Sequence, residues 1–105
     1  QGYSSAASDV YKRQDSMMIT PVVVCCYEGV GAVEVVRQMT GATCGRKAAP
    51  GTIRGDFSMS FQENIIHTSD SLENAAVELK RFFKDGEIFD YTLPTQQFLY
   101  AADEV

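Results

Sequence analysis

The stretch that decides the fold runs from residue 64 to residue 71 and reads Asn64-Ile65-Ile66-His67-Thr68-Ser69-Asp70-Ser71. It contains the one histidine of the chain. The apolar pair before His67 predicts the end of a buried strand, and the hydroxyl residues and aspartate after it predict a turn and the start of a helix. We therefore expect His67 at a strand-to-helix junction, where the free backbone N–H groups of a helix N-terminus favour a phosphate.

A helix is predicted directly after this stretch. Apolar residues recur from Ser71 at the spacing of one helical face, which indicates an amphipathic helix to about Lys84, with Asp70 or Ser71 as its N-terminal cap. Residues 87–91 are predicted to add a short helical turn, and residues 92–105 to form an irregular tail. The apolar positions are Leu72, Ala75, Ala76, Leu79, Phe82 and Phe83 in the helix, and Phe98, Leu99 and Tyr100 in the tail.

A strand and a helix are also predicted upstream. The run Pro21–Tyr27 is continuously apolar and rich in β-branched residues, which is typical of a strand buried on both faces. Gly29 and Gly31 mark a turn, and from Ala32 the apolar residues have helical spacing up to Gly41, which is a glycine cap. Strand, turn and helix therefore follow one another.

The first sixteen residues are predicted to lie outside the fold. Residues 1–16 show no helical or strand period, are rich in small polar residues and lack the apolar segment of a signal peptide. We interpret them as a disordered and non-native head. The fold prediction therefore applies to a partial domain over residues 17–105.

The composition indicates one globular domain. The 105 residues include 45% hydrophobic and 22% charged side chains, enough for a hydrophobic core, and no apolar run approaches the roughly 20 residues of a membrane span. A net charge of −5 disfavours binding to nucleic acid. The cysteines, with Cys25 and Cys26 adjacent, fit neither a metal motif nor a disulfide framework, so we predict reduced core thiols in a cytoplasmic protein.

The segment between the two predicted helices is long and basic. In residues 42–62 the apolar residues show little regular period, which predicts a loop. Loops of this length are usually functional or disordered. The loop carries Arg46, Lys47 and Arg54 in an otherwise acidic chain, which favours a function. Arg54 lies between Gly51 and Gly55. Glycines on both sides let the backbone come close to an anion while the guanidinium contacts phosphate oxygens.

Each candidate residue also has an ordinary structural interpretation. A lone histidine is most often structural, although imidazole titrates near neutrality and serves as a nucleophile. Arg37 and Arg54 are also consistent with solvated surface charges, and Thr43 with a turn residue. Glu78 lies at the edge of the apolar stripe, where it either pairs with Arg81 or orients the imidazole.

Two linked segments resemble a known family. Pro50–Phe57 followed by Asn64–Ser71 resembles the nucleoside diphosphate kinases, and the resemblance extends over about residues 17–91. It implies an α+β, ferredoxin-like fold that is incomplete, because the N-terminal strands and helices of the family, with their Lys-Pro-Asp-Gly motif, have no counterpart in residues 1–20. Thr68 stands where the family usually has glycine or alanine.

The resemblance also implies a function. This is the transfer of the γ-phosphate of a nucleoside triphosphate to a nucleoside diphosphate through a phosphohistidine, with reduced turnover in this chain. The implied partners are ATP and other nucleoside di- and triphosphates with Mg2+ as cofactor, and a homo-oligomer, tetramer or hexamer, without nucleic acid or membrane. The implied site comprises His67 as nucleophile, Glu78 and Ser69 as its orienting groups, Arg37, Thr43 and Arg54 as phosphate ligands, and Asn64 as a contact to the sugar hydroxyl.

The alternative is a protein of a different class, a non-catalytic interaction or nucleotide-binding module derived from the same fold. With its sheet partners missing, the edge of the strand predicted at Pro21–Tyr27 would serve assembly. Phosphorylation of His67 distinguishes the two hypotheses.

Overall fold

The computed structural model describes residue 15 and residues 18–104. Among them are the α-helices that we label α1 (Ala32–Thr40), α2 (Ile53–Phe57) and α3 (Leu72–Phe82), and the 3₁₀ turns Gly45–Lys47 and Gln96–Phe98. No β-strand occurs in this part of the chain. None of its helices is long and apolar enough to cross a membrane.

Helix α1 begins and ends at glycines, as predicted. Gly31 (φ 61°) precedes its first turn, and Gly41 (φ 81°) ends it while donating its N–H to the carbonyl of Arg37. A side chain at Gly41 would be strained by the positive φ, and its Cβ would clash with the side chain of Thr52. Gly41 therefore ends α1 and also lets Thr52, just before α2, approach the end of α1 closely.

Helix α3 confirms the amphipathic prediction to within two residues at its C-terminal end. Of the two candidate caps, Ser71 performs the role, because its hydroxyl accepts the N–H of Asn74 at 3.1 Å. Asp70 instead accepts a hydrogen bond from the side-chain amide of Asn74. The cap fixes where α3 starts, and with it the position of every side chain along the helix.

The segment 42–62 is more ordered than the sequence suggested. The prediction of an irregular loop is wrong, because the segment contains the Gly45–Lys47 turn and α2, which packs against that turn and against α1. Thr52 caps α2: its hydroxyl accepts the N–H of Gly55 at 3.1 Å and donates to the carbonyl of Ala49 at 2.6 Å. Five residues are too few to show a helical period, so the sequence pattern missed α2.

The predicted strand and the predicted hydrophobic core are both absent from the described residues. Residues 21–27 have no regular secondary structure and are exposed, Val23 by 90%. No hydrophobic side chain of residues 18–104 is buried, and Leu72 of α3 is 78% exposed. A strand needs a hydrogen-bonded neighbour and an apolar stripe needs a covering layer, and these residues supply neither.

The cysteines, like the apolar side chains, are not buried. All three are free thiols, as predicted, but Cys25 and Cys26 are exposed and Cys44 is half-buried, so the prediction that they are core residues is wrong. Their apolar neighbours in the sequence lack the packing layer that would have enclosed them.

The C-terminal part makes a long-range hydrogen bond to the turn before α1. The predicted helical turn at residues 87–91 is wrong, since a turn forms at residues 85–87 instead. In the tail, the hydroxyl of Tyr100 accepts the backbone N–H of Val30 at 3.3 Å, which confirms Tyr100 as an anchor. Phe98 and Leu99 are exposed and do not anchor the tail.

Candidate functional site

The imidazole of His67 is exposed and held by a carboxylate. Its side chain is 66% exposed, and Nε2 lies 2.8 Å from Oε1 of Glu78, eleven residues further along the chain. Glu78 is presented by α3, whose start is set by the cap at Ser71. The Glu78 carboxylate thus contacts the histidine ring directly, with Arg81 acting on it only through charge.

The other oxygen of the Glu78 carboxylate is also used. Ser69 donates its hydroxyl to Oε2 of Glu78. This hydrogen bond, and next the one from His67, lower the pKa of Glu78 below its ordinary value of 4.5, with a smaller attraction from Arg81. Glu78 is therefore ionised at neutral pH and only accepts hydrogen bonds, so Nε2 of His67 must be the donor. In a neutral imidazole this leaves the lone pair of Nδ1 free.

Removal of the Ser69 hydroxyl is expected to raise the pKa of Glu78 toward its ordinary value, since that hydroxyl is the main cause of the lowering. A lowered pKa in the folded state stabilises the fold above the ordinary pKa of the carboxyl group, and this stabilisation is lost as the pH falls through the lowered value. Titration of the Glu78 carboxyl carbon by NMR in Ser69→Ala measures the effect. Ser69→Thr keeps a hydroxyl and is the control; an identical Glu78 titration in wild type and Ser69→Ala would contradict the assignment.

Arg54 is buried, and its guanidinium contacts the main chain. Only 7% of the residue is exposed. Nη1 donates to the carbonyl of Gly41 at 2.8 Å, Nη2 to the carbonyl of Ile66 at 2.9 Å, and Nε to Oδ1 of Asn64 at 3.1 Å. Burial and the charge of Arg37 lower the pKa of Arg54. The interpretation of Arg54 as a solvated surface charge is therefore wrong.

Asn64 completes this network. Its Oδ1 also accepts the backbone N–H of Ile66 at 3.2 Å, and its Nδ2 donates to the carbonyl of Thr43 at 3.2 Å. Four separate points of the chain thus meet here: the end of α1, the residue Thr43 after it, α2 through Arg54, and the backbone next to His67. The sequence did not predict the main-chain acceptors at Gly41 and Ile66, because a carbonyl leaves no signature in the residue type.

Arg37 lies near both Arg54 and Asp70. It is exposed on the last turn of α1, and its charge contributes to the lowered pKa of Asp70, for which the hydrogen bond from Asn74 is the main cause. An open groove of about 490 Å³ runs beside it. The groove is lined by Arg37, Gln38, Gly41, Ala42, Ala49 and Thr52.

The structure thus assembles the predicted site residues in two adjoining groups. One comprises His67, Ser69 and Glu78, and the other Arg54, Asn64 and the backbone of Thr43, with Arg37 within electrostatic range of Arg54. The described residues contain no group of three or more histidine, cysteine or carboxylate side chains placed to hold a metal ion.

An exposed imidazole with one ring nitrogen held by a carboxylate is an arrangement found in proteins that use histidine as a nucleophile. The nucleoside diphosphate kinase family model matches residues 4–88. The chain therefore belongs to the nucleoside diphosphate kinase family, as the resemblance predicted.

Curated relatives support this membership. The chain is 65% identical over 91 residues to the nucleoside diphosphate kinase of Parabacteroides distasonis, which covers 87% of this chain and 60% of that protein. It is 55% identical over 75 residues to the enzyme of Pyrococcus abyssi, covering 69% and 47% of the two chains. The chain thus spans about half to three-fifths of the length of these relatives.

Solved structures confirm that the fold is that of nucleoside diphosphate kinases. The apo enzyme of Encephalitozoon cuniculi aligns with a TM-score of 0.65 at 37% identity, over 70% of this chain and 49% of that one. The enzyme of Borrelia burgdorferi with bound vanadate and ADP aligns with a TM-score of 0.59 at 43% identity, over 64% of this chain and 46% of that one.

The prediction of a disordered head concerns residues 1–16. Apart from residue 15, these residues lie outside the described residues, so it stays a prediction.

Proposed function

We propose that this chain carries the nucleophile and part of the phosphate site of a nucleoside diphosphate kinase. The observation that carries the proposal is the contact between Nε2 of His67 and Oε1 of Glu78, because it leaves Nδ1 as an exposed nucleophile. The relative from Borrelia burgdorferi binds ADP and vanadate in a mimic of the transition state, which supports a phosphoryl-transfer reaction on this fold.

The proposed reaction has two steps. In the first, Nδ1 of His67 attacks the γ-phosphorus of a nucleoside triphosphate; the N–P bond forms, the P–O bond to the β-phosphate breaks, and the nucleoside diphosphate leaves with the electron pair. In the second, a terminal phosphate oxygen of another nucleoside diphosphate attacks the same phosphorus, and the electron pair of the N–P bond returns to Nδ1. The proton stays on Nε2 throughout, where the Glu78 carboxylate stabilises the positive charge of the phosphorylated ring.

We propose that the phosphates are bound by Arg37, Thr43 and Arg54, and the sugar hydroxyl by Asn64. Three of the five N–H donors of the Arg54 guanidinium are used within the chain, which leaves two for phosphate oxygens. The Nδ2 amide of Asn64 likewise keeps one N–H beyond its contact with Thr43. Mg2+ belongs to the substrate in this proposal, since it binds through nucleotide phosphates with few protein ligands and neutralises their charge.

The proposal extends to the complete family fold. We infer an α+β, ferredoxin-like domain in which residues 21–27 form a strand, with residues 1–16 as a head outside it. ATP and other nucleoside di- and triphosphates are the proposed substrates, in a cytoplasmic homo-oligomer of four or six subunits, without nucleic acid or membrane partners. Turnover by these 105 residues alone is expected to be low, because they span 60% of the length of the relative from Parabacteroides distasonis and the rest of the family fold supplies further contacts to the transition state.

Incubation of the chain with Mg2+ and ATP labelled at the γ-phosphate tests the function. We expect label that is stable in alkali, labile in acid and lost on addition of a nucleoside diphosphate, because it resides on a ring nitrogen of His67. His67→Ala should abolish it. Label that persists in His67→Ala would refute the proposal, and a chain that binds ATP but is never labelled would favour the alternative of a nucleotide-binding module.

A further inference from the structure

We propose that Arg54, together with Asn64, positions the nucleophile by fixing the backbone before His67 against the corner formed by residues 41–43. This role is separate from binding phosphate and rests on the proposed reaction at His67. The hydrogen bonds of the two side chains reach backbone groups on both sides of the site.

The side chains of Arg54 and Asn64 bind both backbone polar groups of Ile66. Its carbonyl accepts Nη2 of Arg54 at 2.9 Å, and its N–H donates to Oδ1 of Asn64 at 3.2 Å. The carbonyl of Ile66 lies in the same planar peptide unit as the nitrogen of His67. Holding that plane therefore sets the direction in which the His67 side chain leaves the backbone, and with it the approach of the ring to Glu78.

The side chains of Arg54 and Asn64 also bind the corner formed by residues 41–43. Nη1 of Arg54 donates to the carbonyl of Gly41 at 2.8 Å, and Nδ2 of Asn64 donates to the carbonyl of Thr43 at 3.2 Å. Nε of Arg54 and Oδ1 of Asn64 join the two side chains at 3.1 Å. The backbone before His67 and the corner formed by residues 41–43 are therefore held together. This keeps the proposed phosphate ligands at a fixed distance from the nucleophile.

Burial favours the positioning role for three of the five N–H groups of the guanidinium. A polar group that is 7% exposed must be hydrogen-bonded, and here three acceptors in different directions are matched by one planar fork of donors. The ammonium of lysine is a compact point charge and cannot reach all three. Arg54→Lys therefore keeps a positive charge for phosphate but removes the positioning contacts.

The test uses the 105-residue chain without nucleotide. In wild type, NMR should show Overhauser contacts between the ring protons of His67 and the side chain of Glu78, and slow exchange of the Ile66 amide proton. Arg54→Lys should lose the ring contacts and exchange the Ile66 proton at least about tenfold faster. Arg46→Lys, an equivalent change at an exposed arginine, should leave both signals unchanged.

Asn64→Ala is the second variant, because Asn64 is only half-buried and neutral, so its removal disturbs folding less. It should also lose the contacts between His67 and Glu78. Preserved contacts in either variant, provided it keeps the helical circular dichroism of wild type, would overturn the proposal; if Arg54→Lys unfolds, Asn64→Ala alone decides.

The phosphoryl-transfer readout distinguishes positioning from ligand binding. At saturating nucleotide, a misplaced nucleophile should slow single-turnover labelling of His67 by up to about 10²-fold in Arg54→Lys, whatever the lost phosphate contact does to the Kd. A weaker Kd with intact ring contacts would instead leave phosphate binding as the only role and overturn the inference. Since the NMR signals require no nucleotide, a chain that is never labelled refutes the proposed function, while the ring contacts still show whether Arg54 positions His67.

Discussion

Glu78→Gln is expected to slow the labelling of His67 from ATP by about 10²-fold or more, the range found when a group that stabilises charge formed during the reaction is removed. Glutamine preserves the length and shape of the side chain, so its amide can still contact the imidazole. It lacks the negative charge that Glu78 places 2.8 Å from Nε2, and the phosphorylated ring is cationic. It also presents an amide N–H, which competes with the hydroxyl of Ser69 or with the ring N–H.

The helix offers a matched control for this variant. Glu73 lies in the first turn of the same helix α3 and is exposed, so Glu73→Gln removes an equal charge without touching the ring. Single-turnover labelling should be slowed in Glu78→Gln and unchanged in Glu73→Gln, with similar nucleotide Kd in both variants. Equal labelling rates for wild type and Glu78→Gln would show that the carboxylate has no role in the transfer.

The sequence predicted which side chains meet around His67 better than it predicted the structure that supports them. His67, Ser69 and Glu78 are close in sequence and joined by one helix, so a capped helix of correct register is enough to bring them together. The pairing of Arg54 with the carbonyls of Gly41 and Ile66 spans more than ten residues each way and depends on how α2 packs. Such contacts with the main chain are invisible to residue-type patterns.

The failed predictions of the strand and the core have one cause. An apolar run such as Val22–Val23–Val24 predicts burial correctly only if the chain also supplies the surface that covers it. Residues 18–104 bury Thr40, Arg54 and Ser58 but no hydrophobic side chain. The local patterns that define α1 and α3 need no such partner, and both helices were predicted to within two residues.

Extension of the chain at its N-terminal end is expected to make its unfolding more cooperative, because the described residues bury no hydrophobic side chain. The relative from Parabacteroides distasonis is matched over 60% of its length, so a chimera that places its N-terminal residues ahead of residue 17 supplies the candidate covering layer. Burial of one valine side chain contributes about 1.5–3 kcal/mol, and Val22, Val23 and Val24 are all exposed in this chain. Calorimetry should show a sharp unfolding transition for the chimera and a broad or missing one for the 105-residue chain.

Val23→Asp supplies the internal control, because its expected effect differs between the two proteins. Val23 is 90% exposed in the 105-residue chain, so a charge there should leave the thermal unfolding curve of that chain unchanged. In the chimera the same substitution places an unpaired charge in the new interface and should cost about 3 kcal/mol or more. Equal effects in both proteins would mean that residues 21–27 are not a strand of the completed sheet, and the exposed apolar run would then require a covering surface from another molecule.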